Sequence, residues 1–485
     1  MLRRLLSCAS IAICLGTPGR TQDTPQIPVA HISLPDPAYI GMPIWMILES
    51  ATGYKIHYPS STTPNDFYCN EVEVQLDEHP VQPLIGLSPA GRNGPACGFL
   101  GAGTSESRLP IHLQYPLAEP GTYKVRFTRR EYRNGKIGIA EQSRWTPLHL
   151  ELAPPDKVER WLEETLAAIP GSPAELLGDT LPSLLASRDP RVLNVMLDKT
   201  YDSNSAVAGY AANSLALFDK EQVRARVLSV LKKRGPNEAL GWLFTSSDIA
   251  KPIAAEIVNA SLPYMRSPDP PKVVGALHVL SMLRDPAFHL PADTVEQISS
   301  KLESEVDFVI AQRNEQAASW LANSFGAVRR SGDRLLLWKL VDAGLTEEQS
   351  LICITWFRDP ADLPRITAIV KQASVNNASD PQGYKMFAPV GAMRTQYGAA
   401  ARPYLREILA GSKQTWVRTT AAQDLVWMND RAGWQFFAGV LREHPFYEDE
   451  MVRWLKERFP PIRNAGETEV LNFLESKAST ADPGN

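Results

Sequence analysis

The spacing of apolar and polar positions along this chain changes once, near residue 153. From Ile27 to Leu152 they alternate in short runs. In TYKVRF, Tyr123, Val125 and Phe127 face one way and Lys124 and Arg126 the other, the period of two expected of a half-buried strand. EVEVQL (71–76) and IHLQY (111–115) alternate likewise, with Pro and Gly between the runs. Asn134-Gly135, between EYR and KIGIA, predicts a hairpin, because both turn residues must accept positive φ. Beyond Ala153-Pro154-Pro155-Asp156, apolar residues recur every three or four positions, in segments broken by Gly, Pro, Asp and Ser. That spacing predicts helices. Asp156 and Glu159 predict a capping box before VERWLEETL. The expected organisation is a leader at 1–22, an all-β domain at 24–153, an all-α domain at 156–475 and a disordered tail at 476–485.

The stretch EPGTYKV, 119 to 125, resembles the turn into strand F of immunoglobulin-like domains. A tyrosine in that turn, here Tyr123, folds its hydroxyl back onto the preceding corner. Antibody domains carry a cysteine two residues later; this chain has Val125, so their inter-sheet disulfide is absent. The resemblance implies an immunoglobulin-like β-sandwich and no chemistry.

In the helical region a single motif returns. Val417, Ala421, Ala422 and Leu425 of WVRTTAAQDL align with Val207, Ala211, Ala212 and Leu215, and Ala317, Ala318 and Leu321 repeat the Ala-Ala-x-x-Leu spacing. PKVVGALHVL, with Ala276, is a looser copy. Pro182, Pro252, Pro291, Pro364 and Pro403 each precede an amphipathic run, where proline suits a first helical turn. Pro252 to Pro291 and Pro364 to Pro403 are both 39 residues apart, and a helix-pair period near 40 is that of HEAT and armadillo repeats. The motif is similar to the second helix of HEAT repeats, which carries V-R-x-x-A-A-x-x-L. Where that pattern has arginine, the copies have Arg418, Ala208 and Asn314, so the resemblance does not extend to a regular Arg–Asp ladder. It implies an α-solenoid, because no single helix pair can bury its own apolar stripe. Taken together, the two regions resemble a bacterial exported HEAT-like repeat protein with an N-terminal immunoglobulin-like domain.

A chain of 485 residues exceeds the usual limit of one core, roughly 250–300 residues, which supports two domains. Residues 24–153 hold ten Lys/Arg against twelve Asp/Glu, and residues 154–485 hold 37 against 41. Neither region is basic, so the electrostatic footprint of nucleic-acid binding is missing. Arg3-Arg4 followed by the apolar run Leu5–Leu15 reads as a secretory signal, too short to span a bilayer. Ile13 before Cys14 argues against a lipid-anchored cysteine. An exported protein, periplasmic or secreted, is expected. Its oxidising surroundings favour a disulfide between Cys69 and Cys97, with Cys353 in LICITWF a buried free thiol.

Catalytic signatures are absent from the sequence: no G-x-S-x-G, H-E-x-x-H, phosphate-cradling glycine loop or zinc-spaced Cys/His set occurs. Ser229 and Lys232 fit S-x-x-K without its companion motifs. His31, His57, His79, His112 and His149 fall in the β region with no converging ligand pattern. No cofactor is expected. The reading is a non-catalytic interaction or scaffold protein that binds a protein or extended polymer on the solenoid. Arg418, Trp416, Trp427 and Trp434 are its candidate binding residues, although most late aromatics should fill the core. The alternative is a carbohydrate-active hydrolase, because some of these place an immunoglobulin-like domain before an (α/α) barrel. A closed ring of helices would mark the hydrolase, an open stack the binding protein.

Overall fold

The computed structural model describes residues 27–49, 68–84, 108–133, 136–244, 247–376, 380, 383, 385–443 and 448–482. They fall into two compact units, Met1–Val192 and Leu193–Asn485.

The strands of the first unit are β1 (Val29–Ser33), β2 (Ala38–Tyr39), β3 (Trp45–Glu49), β4 (Tyr68–Leu76), β5 (His79–Pro80), β6 (Arg108–Pro110), β7 (Gly121–Arg133), β8 (Lys136–Ser143) and β9 (Thr146–Glu151). They join in one mixed sheet along the path β2-β9-β7-β8-β1-β3-β6, with β4 on the other edge of β7. β1 runs parallel to β8 and β2 parallel to β9. The spine is β7. Tyr123, Val125 and Phe127 are buried and Lys124 is exposed, as period two requires. The alternation fails at Thr128 and Arg129, both buried, where a bulge shifts the register against β8. β7 and β8 pair as far as Arg133 and Lys136, so Asn134-Gly135 alone separate them. The Tyr123 hydroxyl donates to the Glu119 carbonyl at 2.9 Å, the corner contact the sequence predicts.

IHLQY departs from its predicted strand. Ile111–Leu113 form a 3-10 turn that buries Ile111, His112 and Leu113 alike, so the alternation there reflects no pleat. Helix α1 (Pro155–Ala167) also starts differently from expectation. Pro154 takes the cap position without a side-chain bond, which puts Asp156 inside the first turn, where it pairs with Arg160. Glu159 reaches Arg191 instead of closing a capping box. α2 (Pro173–Glu175), α3 (Leu181–Leu184) and α4 (Pro190–Lys199) follow, and α4 spans the unit boundary.

The helices of the second unit run α5 (Ser205–Ser214), α6 (Lys220–Arg234), α7 (Glu238–Leu243), α8 (Ser247–Ala250), α9 (Ala254–Ser261), α10 (Pro270–Leu283), α11 (Ala292–Ala311), α12 (Glu315–Val328) and α13 (Asp333–Asp342). Then come α14 (Glu347–Thr355), α15 (Leu363–Asn376), α16 (Phe387–Tyr397), α17 (Arg402–Gly411), α18 (Thr415–Trp427), α19 (Arg431–Glu443), α20 (Glu448–Arg458) and α21 (Glu467–Thr480). Their packing is that of a solenoid. One layer passes from α5 to α7, α10, α12, α14, α16 and α18, each packed on the next. A second layer holds α6 against α9, α11 against α13 and α15 against α17. Among the described residues, α5 makes no extensive contact with α18 or the helices after it, as an open series requires.

The alanine pairs lie in the first layer. Ala211, Ala212, Ala317, Ala318, Ala421 and Ala422 are all fully buried, as are Val207, Val417, Leu215, Leu321 and Leu425. Small side chains let neighbouring backbones close in. A methyl group on Gly433 of α19 would come within 2.7 Å of the Ala422 carbonyl of α18. The tail differs from its expected disorder as far as Asp482. Ser476–Thr480 complete α21, Ala481 is buried, and Asp482 bridges Asp430 and pairs with Arg402.

Candidate binding surface

A helix in a two-layer stack normally keeps one face in water. α10, PPKVVGALHVLSML, is apolar all round, and every residue from Val273 to Leu283 is buried except Met282. Its outer face must therefore be covered. α7 and α12 both pack on α10, and each contributes two residues one helical turn apart. Glu238 and Trp242 stand on α7, and Gln316 and Trp320 on α12. The Gln316 side-chain amide donates to the Glu238 carboxylate. The rings of Trp242 and Trp320 meet edge to face, centroids 5.7 Å apart. His278 of α10 lies beneath, stacked on Trp320 at 3.5 Å and 12° and edge-on to Trp242 at 5.0 Å. Gly241 makes room for it, since a methyl group there would sit 2.2 Å from His278 Nδ1.

His278 is wholly buried, and neither ring nitrogen meets a partner at hydrogen-bonding geometry among the described residues. Burial, opposed by the nearby Glu238 main chain, pushes its pKa down to about 3. The ring is thus a neutral aromatic plate at any physiological pH. Trp242 above it is 48% exposed, and Gln316 and Glu315 are exposed beside it. The result is a solvent-facing aromatic roof with a carboxylate at its edge.

The four binding residues expected from sequence do not form one patch. Trp434 is buried, packed on Phe459 and Phe473 at 5.2 and 6.0 Å, and belongs to the C-terminal core; helical spacing alone cannot say which face is covered. Trp416 is half-buried. Arg418 is exposed, its guanidinium 5.0 Å from the Phe436 ring and its Nε donating to the Leu409 carbonyl at 3.3 Å. Trp427, 49% exposed, lies edge-on to Trp454, with the guanidiniums of Arg394 and Arg458 at 5.7 and 5.9 Å from its ring. Arg394 Nε also donates to Asp424 Oδ1 at 2.7 Å, while Oδ2 is buried without a partner. Burial outweighs Arg394 and raises the Asp424 pKa to about 6.

Cys69 occupies β4 opposite Arg130, but its side chain and Cys97 lie outside the described residues, as does His57. Cys353 is a buried free thiol, its pKa pushed up to about 12 by burial. Among the described residues no group of His, Cys, Asp and Glu is arranged to hold a metal ion, and no helix is long and apolar enough to cross a membrane. Sequence reading missed the Trp242–His278–Trp320 cluster. Its one available signal was a helix, α10, lacking a polar face.

No known family matches the chain, and no curated protein matches it. Three solved structures show a distant likeness. One is an engineered protein, 17% identical over 56% of this chain and 78% of that one, with a TM-score of 0.29. The others are a multiply substituted Kap121p and Kap121p bound to Nup53p, each 14% identical, with TM-scores of 0.31 and 0.30. They cover 68% and 67% of this chain, which spans 41% of the length of each Kap121p chain. At these scores the likeness carries no function across.

Proposed function

We propose that this chain is a non-catalytic binding protein whose helical stack holds a protein or extended polymer partner on the outer face of its alanine-pair layer. One observation carries the reading. The layer is an open series of helices that presents half-exposed tryptophans, Trp242 and Trp427, on otherwise close-packed elements. Half-buried tryptophans supply large contact area with little side-chain entropy to lose, which is why they anchor interfaces. The hydrolase alternative needs a closed helical ring, and the order of helix contacts does not support one. The Tyr123 corner supports an immunoglobulin-like origin for the mixed sheet. The basic and apolar start of the chain, Arg3 to Leu15, supports export.

The test is capture from periplasmic and culture-fluid fractions on immobilised protein, followed by mass spectrometry and reconstitution of the complex from purified components. A saturable complex of fixed stoichiometry is expected. Failure to reconstitute any complex, with turnover of a polysaccharide by the pure protein, would favour the hydrolase.

A further inference from the structure

We infer that the Asp424–Arg394 pair is an acid-operated latch between α18 and α16, closed at neutral pH and opened when the carboxylate takes up a proton. Asp424 is buried within the closely packed layer. Arg394 Nε donates to its Oδ1 at 2.7 Å, whereas Oδ2, equally out of water, meets no hydrogen-bond donor among the described residues. A buried carboxylate with one oxygen unsatisfied is costly to keep ionised, so Oδ2 is the atom that takes the proton. The two partners are unequal. The arginine side chain is 35% exposed and the aspartate 7%, so once the carboxyl is neutral the guanidinium can turn to water while the acid stays inside.

The helices packed on α18 are α16, α17 and α19, and their other charges are engaged elsewhere or lie in solvent. On α17, Arg402 and Arg406 turn to Asp430 and Glu407 to Lys371. On α19, Arg431 donates to the Ala478 carbonyl, Arg442 pairs with Glu475 and Glu443 is exposed. Arg418, on α18 itself, donates to the Leu409 carbonyl. Arg394 is thus the charge that acts on Asp424, and burial outweighs it, placing the carboxyl pKa at about 6 against about 3.9 when unfolded. A folded pKa above the unfolded one means stability present below about 3.9 and lost as pH rises through about 6. Mild acid therefore opens the pair without destabilising the fold at this residue. The guanidinium it frees stands 5.7 Å from the ring of Trp427, half-exposed and one helical turn along α18 from Asp424, so the opening reaches the surface.

The test is the fluorescence of Trp427 in the full chain between pH 5 and 7.5, isolated by subtracting the same chain carrying Trp427→Phe. The parent should show one transition with its midpoint near pH 6. Asp424→Asn, which cannot titrate, and Arg394→Gln, which leaves no guanidinium to move, should both lose it. An ion pair that merely holds two helices together would give no transition in this range. Arg394→Gln alters a partly exposed side chain, so a loss of folding in Asp424→Asn leaves the test intact. A flat parent curve, or a transition near pH 6 that persists in either folded variant, overturns the inference.

Discussion

Arg284 and Asp333 form an ion pair at 3.0 Å in which neither side chain is exposed. The guanidinium also donates to Ser299 Oγ at 2.8 Å and Ser324 Oγ at 3.2 Å, so the arginine that caps the C-terminal end of α10 ties down α11, α12 and α13. Burial pulls the arginine pKa down and Asp333 opposes that pull. Removing one partner of such a pair strands the other in a medium that solvates it poorly. Asp333→Ala should cost about 3–5 kcal/mol, read as a shift in the urea midpoint. A change under about 1 kcal/mol, the range of exposed pairs, would show that the pair is not dry.

The alanine pairs should resist enlargement. Ala→Leu at Ala211, Ala212, Ala317, Ala318, Ala421 or Ala422 should cost about 1–3 kcal/mol each, since overpacking forces side chains off their rotamers. Ala327, exposed on α12, is the control. Leucine there should leave the melting temperature nearly unchanged, because it is almost as good a helix former. Six variants that all melt with the control would contradict the stacked layer.

Acid should weaken the first unit through His112. Its Nε2 lies 2.9 Å from the Pro182 carbonyl, and its Nδ1 lies 3.0 Å from both the Ile44 amide and the Ile44 carbonyl. Burial pushes its pKa down to about 4, against about 6.5 when unfolded. The unfolded chain therefore takes up the proton first. The stabilisation is complete above pH 6.5 and is lost as pH falls towards 4, up to about 3 kcal/mol. Urea titrations at pH 7 and 4.5 on the parent and His112→Asn should show the parent losing more. Equal losses would remove His112 from the explanation.

What was legible in the sequence follows from which interactions are local. Period two and period three-to-four show where strands give way to helices, and the Ala-Ala-x-x-Leu spacing marks the layer because close packing restricts those positions to small residues. Contacts between distant positions left no such trace. Glu238 and Gln316 are 78 residues apart and Arg284 and Asp333 are 49 apart, so the roof over α10 and the buried ion pair emerge from the fold alone. Arg–Asp pairs do recur along the stack, at Arg334–Asp362, Arg394–Asp424 and Arg406–Asp430. They use other positions than Arg418, where repeat logic would seek them. Trp434 was misplaced for a related reason: an amphipathic helix at the end of a stack shows its apolar face in sequence, not what covers it.

The central claim is that the outer face of the alanine-pair layer is where a partner docks. The most direct measurement is the dissociation constant of the reconstituted partner complex, compared among the parent, Trp242→Ala with Trp320→Ala, and Arg418→Ala, each verified as folded by circular dichroism. If the claim holds, the double tryptophan variant loses at least about 2 kcal/mol of binding, the loss expected of an interface anchor, and Arg418→Ala loses less. Parent-like affinity in the double variant would place the docking surface elsewhere on the chain and contradict the account.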